Sequence, residues 1–165
     1  MLMLIINCMR KNVTEYLDIT EGLYSEKIAV EDANGCITFG EMKRNALKIA
    51  EFCVEQNIFK QPVCVYLPKS KEMVTSFVGT NYSGNFYVPL DIKSPDTRIR
   101  NILATLNPGL IITDEEHKDQ VENFGLPTVT VGCLCSRIEA DLSVVESARS
   151  RQIDTAPIYS IFTSG

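Results

Sequence analysis

Apolar residues along the chain alternate between two periods, and each change of period marks a new element. Val13, Tyr16 and Leu17, with Leu23 less cleanly in phase, predict a short helix before Ser25. Ile28 to Asp32, Ala33-Asn34-Gly35 and Cys36 to Thr38 read as strand, turn and returning strand, a β-hairpin. Thr38-x-x-Glu41 is a capping-box pattern. Behind it Met42, Ala46, Ile49, Ala50 and Cys53 keep helical spacing to about Gln56. Val63 to Leu67 is a nearly continuous apolar run between Pro62 and Pro68, the pattern of a strand covered on both faces. Ser70 then caps a helix carrying Met73, Val74, Phe77 and Val78, which Gly84 closes in a left-handed conformation.

Phe86-Tyr87-Val88 is a short aromatic and β-branched strand, and Pro89 is expected to end its ladder by removing a donor. Ser94-Pro95-Asp96 supplies a cap side chain, a proline at the first helical position and a first-turn acid. A helix starting at Pro95 follows, its stripe Ile99, Ile102, Leu103 and Leu106 lying against a sheet. Leu106 to Gly109 breaks that helix, Leu110-Ile111-Ile112 is a buried strand, and Thr113-x-x-Glu116 is a second capping box opening a helix through Val121. Thr128 to Val131 closes the series. Strands alternating with helices at this spacing define an α/β fold: an N-terminal hairpin, then β-α units forming a mainly parallel sheet. Residues 133 to 156 read as a connector with one surface helix, and Pro157 to Phe162 as a last strand running into Thr163-Ser164-Gly165.

Composition changes this picture little. A chain of 165 residues with 45% hydrophobic and 22% charged content is an ordinary globular chain of about one domain, able to bury a core without disulfide or metal. A net charge of -5 without clusters argues against a nucleic-acid or anionic-membrane surface. The apolar Met1 to Ile6 is too short for a secretory core and precedes Arg10-Lys11 where cleavage-site residues would stand, so it reads as a short strand or a mis-assigned start. Cysteines at 8, 36, 53, 64, 133 and 135 lack zinc-finger spacing, and four lie in apolar contexts, as reduced thiols do. Cys133-x-Cys135 is weighed as a metal or redox pair. With His117 the sole histidine, two free loop thiols are the expectation.

Candidate chemistry concentrates at the last strand. A strand running into Thr163-Ser164-Gly165 is what precedes a phosphate-cradling loop, where small residues let backbone N–H groups face an anion. Elsewhere the readings are structural. Tyr87 is a packed strand residue, Lys69 and Lys71 a solvated helix start, Asp91 a turn acid, Asp96 a first-turn acid and His117 a surface histidine. No Walker loop and no dinucleotide fingerprint occurs.

Three stretches, in order, carry a family resemblance: Ile37-Thr38-Phe39-Gly40-Glu41-Met42, Tyr82 to Asp91 with the helix to Leu103, and Tyr159 to Gly165. Residues 12 to 165 resemble the N-terminal part of the adenylate-forming, or AMP-binding, superfamily. Tyr-Val-Pro-Leu-Asp favours its amino-acid adenylation domains and D-alanine-activating ligases over acyl-CoA synthetases. The resemblance implies an ATP-dependent, Mg²⁺-assisted ligase that activates a carboxylic acid, here an amino acid, as an acyl-adenylate and passes it to a carrier-protein thiol. Thr163, Ser164 and Gly165 map onto the first three residues of the family's phosphate loop. The rest of that loop, its lysine, the ribose-binding acid and the C-terminal catalytic lysine have no counterpart in the 165 residues. The expectation is therefore a cytoplasmic, truncated N-terminal piece of such a ligase, preceded by a residue 1–11 extension. No catalytic residue or metal ligand is assigned to it, and it holds ATP and Mg²⁺ weakly and is inactive alone. Nucleic acid and membrane are not expected partners; self-association through the uncovered strand 157–165 is. A non-catalytic α/β binding or interaction module retaining only the ligase fold is the alternative.

Overall fold

The computed structural model describes residues 12–163. Met1 to Ile6 and Cys8 therefore lie outside the described residues. Helix α1 (Thr14–Tyr24) leads into the antiparallel hairpin β1 (Ile28–Asp32) and β2 (Gly35–Thr38). Asp32 does more than end the first strand. Its carboxylate accepts the Asn34 N–H inside the turn and the Lys71 N–H at 2.9 Å, so the hairpin supplies an acceptor to the first turn of a distant helix.

Helix α2 (Phe39–Glu55) begins with the predicted capping box. The Thr38 hydroxyl accepts the Glu41 N–H at 3.2 Å, and the Glu41 carboxylate accepts the Thr38 N–H at 2.9 Å. Thr38→Ala is expected to lower stability by about 1 kcal/mol, read as a shift in urea midpoint.

The main sheet is fully parallel, in the order β4-β3-β5-β6, from β3 (Pro62–Tyr66), β4 (Phe86–Leu90), β5 (Leu110–Thr113) and β6 (Thr128–Thr130). The chain steps from β3 outward to β4 through α3 (Lys71–Tyr82), then back across β3 to β5 through α4 (Asp96–Leu106), and on to β6 through α5 (Lys118–Glu122). Right-handed crossovers that reverse direction must place their helices on opposite faces. Val63, Val65, Leu110 and Ile112 accordingly pack with α2 and α3, while Cys64, Val88 and Ile111 pack with Ile99, Leu103 and Val121. Helices α6 (Val131–Cys135) and α7 (Leu142–Arg149) cover the α2 face, where Leu134, Val145 and Ala148 are buried.

Several local expectations give way to tertiary context. The ladder between β3 and β4 runs on through Pro89 to Leu90, with Val65 opposite Pro89. Tyr87 N–H points away from β3, toward Ile158, and by strand alternation so does the missing donor of Pro89. Ser94 makes no cap. Pro95 is the cap residue, its carbonyl accepting the Arg98 and Ile99 N–H groups, while Ser94 donates its N–H to Asp91 in the preceding turn. Ser94→Ala is accordingly expected to leave the urea midpoint where Thr38→Ala shifts it.

Thr113 does not open a helix either. It is a fully buried strand residue whose hydroxyl donates to the Tyr66 carbonyl at 3.0 Å, and the Asp114 carboxylate takes the His117 N–H instead. Val131 starts α6 rather than ending β6, because the Thr130 hydroxyl caps the following turn through the Cys133 N–H. The connector holds two helices where one was expected. Pro157 to Phe162 forms no strand: a single parallel bridge joins Tyr159 to Tyr87.

Candidate functional site

In open α/β sheets ligands bind beyond the carboxyl ends of the strands, where the chain reverses direction. Here that point lies between β3 and β5, and side chains fill it. Tyr66 is fully buried with its ring 5.7 Å edge-on from that of His117, and its hydroxyl donates to the Ile92 carbonyl. Burial first, and then the Asp96, Asp91 and Asp114 carboxylates, raise the Tyr66 phenol above its usual range, against a hydrogen bond from Gln120. His117 is a correction to the surface reading: its ring is mostly covered, and Nδ1 lies 2.6 Å from Asp114 Oδ1.

The open concavity sits one strand further out, at the carboxyl ends of β3 and β4. It is a groove of about 800 Å³ whose lining includes Phe77, Tyr87, Ile161 and Phe162. Lys69, Lys93 and Arg98 reach its wall, with Asp91 as the acidic group, so the lining favours an anion. Tyr87 stacks on Phe77 with centroids 4.1 Å apart and on Tyr159 at 5.8 Å, which is the packed strand role expected of it. Asp91 accepts the Lys93 N–H within its turn, and Asp96 accepts from the Gln120 amide, so both are structural acids as expected. Lys71 departs from the solvated reading, since it pairs with Asp32 and Glu72, each at 3.3 Å.

The segment from Ile158 reaches this groove along the outer edge of β4. Tyr87 N–H donates to the Ile158 carbonyl at 3.1 Å, and Ser160 N–H to the Tyr87 carbonyl at 3.0 Å. Thr163 arrives exposed beside Thr97 and Arg98 on α4, in a shallower hollow of about 480 Å³. Ser164 and Gly165, the other two expected phosphate-binding residues, lie outside the described residues. Arg98 is the residue that sequence reasoning did not single out. It stands on a polar stretch of a helix read only for its apolar stripe, and nothing local marks it.

Among the described residues no group of three or more His, Cys, Asp or Glu side chains can hold a metal ion, and no helix is long and apolar enough to cross a membrane. Five cysteines in the described residues are free thiols. Cys53 and Cys64 are buried, and burial pushes both up to about 12, whereas Cys36 and Cys133 are exposed.

A parallel sheet wound in both directions, with a groove at the carboxyl ends of its strands and an edge segment running on to Thr163 in the neighbouring hollow, is an open, doubly wound α/β unit. The chain belongs to the AMP-binding enzyme family, whose model matches residues 20–165. It is similar to the bassianolide nonribosomal cyclodepsipeptide synthetase of Beauveria bassiana, 29% identical over 153 residues, covering 86% of this chain and 5% of that protein. It is also similar to the D-alanine–D-alanyl carrier protein ligase of Streptococcus pyogenes serotype M5 (strain Manfredo), 33% identical over 131 residues, covering 78% of this chain and 24% of the ligase. Among solved structures, the AMPPNP-bound form of the nonribosomal peptide synthetase FmoA3 superposes with a TM-score of 0.76 at 19% identity, covering 93% of this chain and 16% of that one. The chain thus spans between a twentieth and a quarter of the length of these curated relatives.

Proposed function

We propose that residues 12–165 are the N-terminal part of the adenylation unit of an ATP-dependent, acid–thiol ligase whose acid is an amino acid. The family match over residues 20–165 carries this reading, and the D-alanine and peptide-synthetase relatives favour an amino acid as the substrate. In this reaction a carboxylate oxygen bonds to the α-phosphorus of ATP, and the bond from that phosphorus to the bridging oxygen breaks, releasing pyrophosphate. A carrier thiolate then attacks the acyl carbon and AMP leaves with the bonding pair. Positioning and charge neutralisation supply most of the catalysis in such phosphoryl transfers.

The part assigned to this chain is binding and orientation. Thr163, Ser164 and Gly165 form the near edge of the phosphate cradle, approached along β4, and the basic lining of Lys69, Lys93 and Arg98 raises the local concentration of anions. Mg²⁺ accompanies the ATP phosphates when bound. The described residues offer no cluster of carboxylates to hold it. Reaction in the cytoplasm, where ATP and carrier proteins are available, is part of the same proposal.

The test is amino-acid-dependent ATP–pyrophosphate exchange in a chimera. Residues 12–163 replace the matching segment of the streptococcal D-alanine ligase, which continues from its own loop. D-alanine-dependent exchange above the no-protein control is the expected result, while the 165-residue polypeptide alone gives none. A folded, monomeric chimera that retains ATP binding yet is inert would overturn the reading, as would robust exchange by the 165 residues alone.

A further inference from the structure

Segment 158–162 reaches Thr163 with little help from the sheet. Its backbone is tied to β4 only by the pair of bonds at Tyr87. The next rung of a parallel ladder would need an N–H from residue 89 to the Ser160 carbonyl. Residue 89 is proline, so that rung is chemically impossible. The ladder loses that rung, and Phe162 makes no backbone bond to the Pro89 carbonyl, the next acceptor along β4, so the pairing ends three residues before Thr163.

What replaces the ladder comes from α4. The Phe162 ring packs against the core formed with Ile99 and Ile102, and the Phe162 carbonyl accepts a hydrogen bond from Arg98 Nη2 at 3.4 Å. Arg98 stands at the junction of the two hollows, lining both the groove along β4 and the one around Thr163. A guanidinium is suited to this place: it is planar, permanently charged and multiply donating, so one N–H can hold a carbonyl while others remain free.

We propose that Arg98 is a positioning residue that fixes the backbone immediately ahead of Thr163, and so sets the direction in which the phosphate loop leaves the sheet. The inference rests on reading Thr163 as the start of that loop. It assigns to α4 a function beyond covering the sheet, since its first turn anchors the loop that the strand ladder cannot.

The experiment compares the wild-type 165-residue chain with Arg98→Met, which keeps length without donors, and Arg98→Lys, which keeps one charged donor group. The readouts are the ¹³C′ shift of Phe162 and amide exchange at Ser160, both measured without nucleotide. In Arg98→Met the Phe162 carbonyl resonance is expected to move upfield and Ser160 exchange to rise about tenfold, the loss expected for one charge-assisted bond. Val65 and Ile112 amides should stay at wild-type rates, and Arg98→Lys should restore most of the protection. An unchanged Phe162 carbonyl and Ser160 rate in Arg98→Met would overturn the proposal. So would a uniform rise across Val65 and Ile112, because it would make Arg98 a general contributor to stability. These readouts contain no ATP, so an inert chimera beside a shifted Phe162 carbonyl would count against the phosphate-loop reading and not against Arg98 as the anchor.

Discussion

Gly79→Val will leave the chain without a cooperative urea transition, and Gly79→Ala will lower its stability by about 1–3 kcal/mol. Gly79 lies within α3, three residues before its end, and glycine inside a helix by itself costs roughly 1 kcal/mol relative to alanine. Propensity alone would make the alanine variant more stable. Packing reverses the sign. A Cβ at residue 79 would lie 2.6 Å from Ile49 Cβ, 2.8 Å from the Ala46 carbonyl oxygen and 2.9 Å from Ile49 Cγ2. Two of these atoms are a carbonyl oxygen and a Cβ on α2, which cannot turn aside as the tip of a flexible side chain would. The helices must separate, and Ile49, fully buried between α2 and the sheet, loses its fit. A double-mutant cycle with Ile49→Ala checks the cause. Removing the Ile49 branches should make Gly79→Ala less costly by at least about 0.5 kcal/mol, as coupled neighbours do. Strict additivity would show that the close approach does not govern the site.

Tyr82→Ala is expected to cost about 3–5 kcal/mol, the range for emptying a fully buried aromatic site. Tyr82 sits where α1, α2, α3 and α7 converge. Its ring packs with Ala46, Ala50 and Val145, Arg149 lies over it at 5.1 Å, and its hydroxyl donates to Asp18 at 2.7 Å. Asp18 also takes Arg149 at 2.7 Å and Lys43 at 3.1 Å. Burial pushes the Asp18 carboxyl up, but the Tyr82 hydrogen bond, then Arg149, then Lys43 together outweigh it and hold the carboxyl below 3.8. With a folded pKa below the unfolded one, the carboxylate's contribution is fully present above the unfolded value near 4. It is lost as pH falls through the folded value. Tyr82→Phe isolates this effect. It keeps the ring and removes one bond to a charged acceptor, so it should cost about 1–3 kcal/mol at pH 7. Because it also raises the Asp18 pKa toward the ordinary value, the loss of stability between pH 7 and pH 3 should be smaller in Tyr82→Phe than in wild type. Urea midpoints at the two pH values measure both quantities, and parallel pH curves for the two proteins would remove Asp18 from the account.

These two sites also show where sequence reading stops. Gly79 looks like an ordinary interruption of a helix until Ile49, thirty residues earlier, is placed against it. Tyr82 looks like one more apolar position on α3, since nothing near it in the chain announces Asp18 or Arg149.

The amino-acid sequence by itself determined the element order as far as β6, the hairpin, the capping boundaries at Thr38 and Ser70, the left-handed closure at Gly84 and the two-sided burial of β3. All of these rest on interactions within a few residues, or on a hydrophobic period that any covering element would satisfy. The family followed from three stretches whose residues are local in the same sense. The tertiary structure decided what depends on direction and partner. Pro89 stays in the ladder because its missing donor faces outward, and the edge beyond it, which loses a rung for the same reason, carries one bridge in place of a strand. Thr113 gives its hydroxyl to Tyr66 on a neighbouring strand instead of capping a helix, and His117 turns inward toward Tyr66 and Asp114. Arg98 meets the Phe162 carbonyl across 64 residues. A side chain's own sequence window records which bonds it is able to make; only the packed chain records which acceptor lies within reach.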